Sequence, residues 1–462
     1  MSQSASKNIL LWLVAIGFFM ETLDSTIVNT ALPTMARAMG ESPLSMQAVV
    51  ISYALTLAVF IPASGWLTDR FGTRKVYLSA ILIFTAGSLC CALSSNLTEL
   101  VASRAIQGAG GSMLLPVGRL AILRSFPGVQ YLAALSFVAM PALIGPLIGP
   151  TLGGWLIQIA SWHWIFLINI PIGIIGCFAT HKYFPPDDLL SPRRFDIVGF
   201  FLIAFFMVSV SVGLDGLSEH SLSPAAVYAL LMFGLASLVA YFFHASKTEH
   251  ALFSLSIFRT RTYTLGVLGN MFARIGSSGM PFMVPLFLQL CLGHSPLHAG
   301  LDMLPLAVAA IMAKRLVRPL ILKAGYRNFL IGNTLLVGFG IASFALITDG
   351  EPDGLRIIHL FLFGIVNSMQ FTAMNTLTMK DVERGKSSDA NTVFSMVQML
   401  AMSFAVAAAG SLLSTFLKKY DRLAAFHATF LGMGSVTCAS ALIFWQLTIE
   451  DKIIPTLQKE VI

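Results

Sequence analysis

Glu21 and Asp24 stand three residues apart in one apolar stretch, and Arg104 and Gln107 stand three apart in another. On a helix this spacing puts each pair on a single face. Inside a bilayer each charge costs roughly 2.5 to 3.5 kcal/mol on insertion scales, so charges kept there are functional candidates. Two carboxylates and an arginine facing one cavity can take up and release a proton, because the cation offsets the desolvation of the anion. Asp24 is the leading candidate for the proton-carrying group, with Glu21 second and Arg104 as the cation that tunes them. A fixed ion pair of Asp24 with Arg104 is the structural alternative. Arg274, near Asn270, Ser277 and Ser278, suits either an anionic substrate or the neutralisation of Glu21 or Asp24. Gln107, Arg274, Asn367, Gln370 and Asn375 are candidate substrate-cavity residues, although amides within spans also hold helices together. Asp302 reads as a residue of the cavity mouth.

The elements that must position these groups are membrane helices. Of 462 residues, 56% are hydrophobic and only 11% charged, too few polar groups to cover a soluble globule of this length. Windows of about 20 residues give about fourteen spans. Their centres fall near Gly17, Leu57, Thr85, Gly110, Ile144, Ile172, Met207, Met232, Phe282, Val308, Leu335, Phe363, Ala405 and Ser435. The apolar run after Lys7 holds Glu21 and Asp24 and has no small-residue cleavage site, so it reads as a retained span. Lys7, Arg70, Arg74, Lys75, Arg119, Arg124, Lys182, Lys247, Lys314, Arg315, Lys386 and Lys459 gather on one side, and Arg37, Arg356, Lys418, Lys419 and Arg422 on the other. The excess of basic residues places both termini in the cytoplasm.

The formal net charge of +7 is scattered through short loops and forms no stripe, so it orients the chain in the bilayer and does not predict nucleic-acid binding. The five cysteines predict neither a disulfide framework nor a metal site, and no cofactor is expected. A His-Glu-x-x-His motif, a phosphate loop and a Gly-x-Ser-x-Gly elbow are all missing, which argues against an enzyme.

Between the second and third spans runs Gly65-Trp66-Leu67-Thr68-Asp69-Arg70-Phe71-Gly72-Thr73-Arg74-Lys75. Its ordered glycines and charges resemble the helix 2 to helix 3 signature of the major facilitator superfamily. Leu322-Lys323-Ala324-Gly325-Tyr326-Arg327 echoes it in the second half without the acidic residue, as a parallel internal repeat would. Four more stretches resemble signatures of that superfamily: Leu23 to Pro33 resembles the fourteen-span drug:proton antiporters, Arg104 to Gly111 the Arg-x-x-Gln-Gly motif, Gly145 to Gly154 the antiporter motif of the fifth span, and Trp162 to Pro171 the sixth span. The whole looks like a branch of bacterial multidrug exporters.

The resemblance implies an all-α major facilitator fold of two six-helix bundles, residues 1–185 and 256–462, with two inserted transmembrane helices in 186–255. It implies a cytoplasmic gate at Gly65, Asp69, Arg70, Gly72 and Arg74, with Arg119 as the candidate partner of Asp69. It assigns Gly145, Pro146, Gly149, Pro150, Gly153 and Gly154 to an antiporter-motif helix that seals the central cavity. The expected function is proton-coupled efflux of drugs or amphipathic small molecules from the bacterial cytoplasm across the inner membrane. Export of an anionic metabolite or carboxylate metal chelate is one alternative; a proton symporter or a non-transporting receptor or scaffold is another. The expected partners are small-molecule substrate, protons and the lipid bilayer. No segment identifies a periplasmic adaptor, and the expected state is a monomer.

Overall fold

The structure is a computed structural model that describes residues 3–126, 129–185, 194–219, 222–249, 251–348, 350, 352–383 and 386–448. Among the described residues there are helices and turns and no strand. The first six spans are Lys7–Thr30, Gln47–Phe71, Thr73–Leu93, Leu97–Ser125, Ala133–Ile159 and Trp164–Tyr183. Ile197–Gly216 and Pro224–Lys247 are the seventh and eighth, and Arg261–Leu290 is the ninth. Asp353–Met379, Ser387–Leu417 and Arg422–Trp445 close the chain. Between them Pro296–Leu346 runs for 51 residues, about twice the length that crosses a bilayer core. Its helical path is interrupted at Gly325, with φ 76° and ψ 158°. It therefore supplies the tenth and eleventh spans, and every centre read from the sequence lies in a span of its own.

Gly72 turns the chain between the second and third spans with φ 91° and ψ 151°, nearly the conformation of Gly325. Residues with a side chain avoid this region. The two loops paired by their sequences thus share a backbone device. Other spans begin on side-chain caps. Asn96 Oδ1 accepts the Glu99 amide at 2.9 Å, and Glu99 Oε2 accepts the Ser95 amide at 2.9 Å. Ser295 and Asp421 open the tenth and fourteenth spans in the same manner.

The helix containing the fifth span, Val129–Ile159, runs continuously through Pro141, Pro146 and Pro150. Gly145, Gly149 and Gly153 recur every fourth residue and lie directly on Thr22, Thr26, Ile27 and Thr30 of the first span, leaving no room for a side chain. Gly154 lies on Pro296, and Gly300 of the tenth span on Pro150, which joins the two halves. Thr151 Oγ1 also donates to the Gly300 carbonyl at 2.9 Å, and Gln289 Nε2 to the Thr30 carbonyl at 3.0 Å. A core that includes Leu32, Met35, Val49, Phe282, Phe287 and Phe426 fills this end of the molecule. The halves are therefore sealed at the end remote from Asp69.

The seventh span lies against the seam between the second and thirteenth. Ser211 and Ser403 hydroxyls meet at 3.1 Å, Ser411 donates to the Leu214 carbonyl at 2.9 Å, and Gln47 Nε2 donates to Asp215 Oδ1 at 2.7 Å. The expected boundary after residue 185 adjoins 186–193, which lie outside the described residues, as do Lys459 and the rest of 449–462. The expected boundary at 255 and 256 falls in the short helical turn Leu255–Arg259.

Gly325→Ala should cost about 1 to 3 kcal/mol through backbone strain and lower the thermal unfolding temperature in detergent. Gly332→Ala, on a helical surface with open space around it, is the control and should leave that temperature unchanged or raise it.

Candidate functional site: a buried charge network beside a cavity

Asp24 and Arg104 are each 1% exposed, and Arg104 Nη1 lies 2.5 Å from Asp24 Oδ2. The other carboxylate oxygen accepts from Gln107 Nε2 at 2.8 Å and from Asn169 Nδ2 at 3.2 Å. Gln107 also donates to Ser88 Oγ at 2.7 Å and accepts from Arg104 at 2.6 Å. Arg104 Nε donates to the Val49 carbonyl at 3.3 Å, and its guanidinium rests 4.0 Å from the centre of the Tyr53 ring. Five spans of the first half meet here. Arginine keeps its charge, and both oxygens of Asp24 are occupied by donors, so the arrangement fits an ionised carboxylate. The fixed-pair alternative describes this geometry.

Glu21 lies one turn nearer the Asp69 end and is 5% exposed. Among the described residues it has no hydrogen-bond partner. It faces a cavity of about 120 Å³ that it shares with Ser112 and Arg119 of the fourth span and with Asn391, Thr392, Ser395 and Gln398 of the thirteenth. Arg119 and Asn391 are exposed, so water reaches this chamber.

Several expectations change in the structure. Gln107 is fully buried in the Asp24 network and does not wall a cavity. Gln370 is likewise buried, donating to Thr334 at 2.6 Å and accepting from Asn333 at 2.8 Å, so it joins the eleventh and twelfth spans. Asn367, Phe371 and Asn375 recur every fourth residue along that helix. Asn375 accepts from Gln398 at 2.9 Å, at the edge of the cavity. Arg274 does not neutralise Asp24. Its Nε donates to Asn270 at 3.1 Å, its guanidinium lies 4.4 Å from the Phe371 ring centre, and its Nη2 is buried without a partner among the described residues.

At the gate loop, Asp69 pairs with Arg124 at 3.5 Å and not with Arg119. Arg119 sits five residues earlier on the same helix, about 7.5 Å deeper, and reaches the Glu21 chamber instead. Arg124 also donates to Thr73 at 2.6 Å, and Arg74 donates to the His181 carbonyl. Arg70 is exposed, and nothing packs on Gly65. Asp302 lies 2.9 Å from His294 and 3.4 Å from Arg356. Ser88, Asn169 and Tyr53 carry the network but were assigned no role from the sequence. Asn169 carried a signal, as the one amide of the sixth span; Ser88 and Tyr53 are each one of several hydroxyl residues in their spans and carried none.

A bundle of fourteen apolar spans among the described residues, with a charge network walled inside one half, defines a multi-pass membrane transporter. The model of the Major Facilitator Superfamily matches residues 14–406, and the chain belongs to that family. It is 47% identical over 450 residues, 96% of each chain, to "Putative multidrug resistance protein MdtD" of Pectobacterium carotovorum subsp. carotovorum (strain PC1). It is 47% identical over 463 residues to the protein of the same name from Serratia proteamaculans (strain 568), covering 99% of this chain and 97% of that one. Among solved structures, a D-xylose-proton symporter superposes with a TM-score of 0.70 at 16% identity, covering 98% of this chain and 99% of that one. A peptide transporter POT in complex with sulfate gives 0.70 at 15% identity, with 94% and 93% covered. These structures share the fold. The family makes the chain a transporter of small molecules and not an enzyme.

Arg104→Ala should destabilise the protein by about 3 to 5 kcal/mol, since it strands a buried carboxylate. The double variant Asp24→Leu with Arg104→Met should recover much of that loss. Thermal unfolding of the purified variants checks both.

Proposed function

We propose that the chain exports drugs or other amphipathic small molecules in exchange for protons, by alternating access between two half-bundles. The observation that carries this reading is Glu21, a carboxylate with no hydrogen-bond partner among the described residues, facing a wet chamber while the opposite end is sealed. With the orientation given by the basic loops, the chamber faces the cytoplasm and the seal faces the periplasm. The relatives named as multidrug resistance proteins support export.

The first-span carboxylates divide the work. Asp24 stays ionised against Arg104 and holds the spans in register. Glu21 changes its protonation: without a partner it favours the neutral form when dry and the charged form when water or a cationic group approaches. A proton entering from the periplasm neutralises Glu21 and favours closure of the outer end. Cytoplasmic substrate then displaces the proton. The membrane potential contributes about 2.3 kcal/mol per charge per 100 mV. The Asp69–Arg124 pair ties the gate loop to the fourth span, which suits a latch that moves with the first half.

Arg274 favours a second reading, in which the substrate is an anionic metabolite or a carboxylate chelate. Its unpartnered Nη2 and its stacking on Phe371 leave one edge of a guanidinium ready for an acid group.

Energised inverted vesicles separate these readings. Adding ethidium should release lumenal protons with wild type, and Glu21→Gln should abolish release while keeping the wild-type unfolding temperature. Normal exchange by Glu21→Gln would remove Glu21 from the mechanism. If citrate triggers release in place of ethidium, and Arg274→Gln loses that response, the anion reading replaces the first.

A further inference from the structure

The thirteenth span has two unlike faces. Ala390, Val393, Phe394 and Met396 are buried in an apolar core shared with the inserted helices. The opposite face carries Ser388, Thr392 and Ser395, spaced by four and three residues so that they align along the helix. Exposure falls along this row, from an exposed Ser388 to partly buried Thr392 and Ser395.

A larger cavity of about 450 Å³ lies at the Asp69 end, walled by the second span, the segments flanking the inserted helices and the start of the thirteenth. Asp69, Glu249, Ser388 and Asp389 line it. Thr392 lines both this vestibule and the Glu21 chamber. Of the residues lining the two cavities, Thr392 is the one they share.

We infer that the hydroxyl face of the thirteenth span carries the Glu21 proton to the vestibule; the inference rests on the reading of Glu21 as the proton carrier. Water that reaches the Glu21 chamber can pass a proton onward only where polar groups line its path and hold it in sequence, and Ser395, Thr392 and Ser388 supply such groups. Ser388 and Ser395 are seven residues apart, about 10 Å along a helix, a distance that a few hydrogen-bonded waters cover. Thr392 Oγ1 donates to the Ser388 carbonyl at 2.9 Å, which leaves its oxygen as an acceptor for such water. In the step itself Glu21 COOH gives its proton to adjacent water and becomes a carboxylate, the excess proton passes along the row, and vestibule water takes it up beside Glu249 and Asp389. The charged groups nearest Glu21 are Asp24 on its own helix and Arg119 on the fourth span. The inserted helices thereby gain a task, since the segments flanking them build the vestibule where the route ends.

The test needs no substrate. The full chain in liposomes is studied by infrared difference spectroscopy after a pH jump, with the protonated carboxyl stretch of Glu21 assigned by its loss in Glu21→Gln. Thr392→Val with Ser395→Ala should retain the band and the wild-type unfolding temperature while slowing its response about tenfold. Thr392→Ser should restore the rate. If the double variant does not fold, Thr392→Val alone, which keeps the side-chain shape, carries the same expectation. A wild-type rate in a folded variant overturns the route and leaves Glu21 as the carrier. Absence of any Glu21 band in wild type overturns the reading of Glu21 and the route with it.

Discussion

An arginine buried in a membrane protein keeps its charge, and the first half of this molecule is organised around that constraint. Arg104 requires a carboxylate, a carbonyl and a polarisable face within reach, and obtains them from Asp24, Val49 and Tyr53 on two other spans. Asp24 in turn draws Gln107 and Asn169 to its second oxygen, and Ser88 completes the set. The donors and acceptors of Asp24, Arg104, Gln107 and Ser88 thus meet one another. Because Asp24 is consumed by this task, the neighbouring Glu21 is left with different surroundings, although it lies only three residues away.

The fifth span solves a related problem of closeness. Side chains would hold helices apart, and its glycine ridge removes them where it meets the first span and the tenth. Carbonyls and threonine hydroxyls then come within bonding range, as Thr30 does to the Pro150 carbonyl at 3.2 Å. The charge network and the seal are thereby linked, since both rest on the first span. A shift of that helix disturbs both at once.

Much of this was legible in the amino-acid order. Span positions followed from hydropathy, and the turns at Gly72 and Gly325 from matching loops whose glycines share one backbone conformation. The ion pair of Asp24 and Arg104 was written in two spans with few other charges. What sequence could not supply was direction around each helix. Gln370 stands three residues from Asn367, a spacing that reads as one face, yet its amide is buried against Asn333 and Thr334 of the neighbouring span. Arg119 and Arg124 are equally basic and lie in the same last part of the fourth span, and only depth along the helix decides which meets Asp69. The ranking of Asp24 over Glu21 reflected motif membership, whereas partner count depends on Asn169, distant in sequence and close in space.

The inserted pair changes what the surrounding lipid encounters. Two bundles of matching design would present two equivalent seams to the bilayer. Here the seam of the second and thirteenth spans lies beneath the seventh, fastened at Asp215, Leu214 and Ser211. A molecule dissolved in the membrane meets a doubled wall on that flank and a single layer of helices on the other. The bundle therefore has a front and a back within the plane of the membrane.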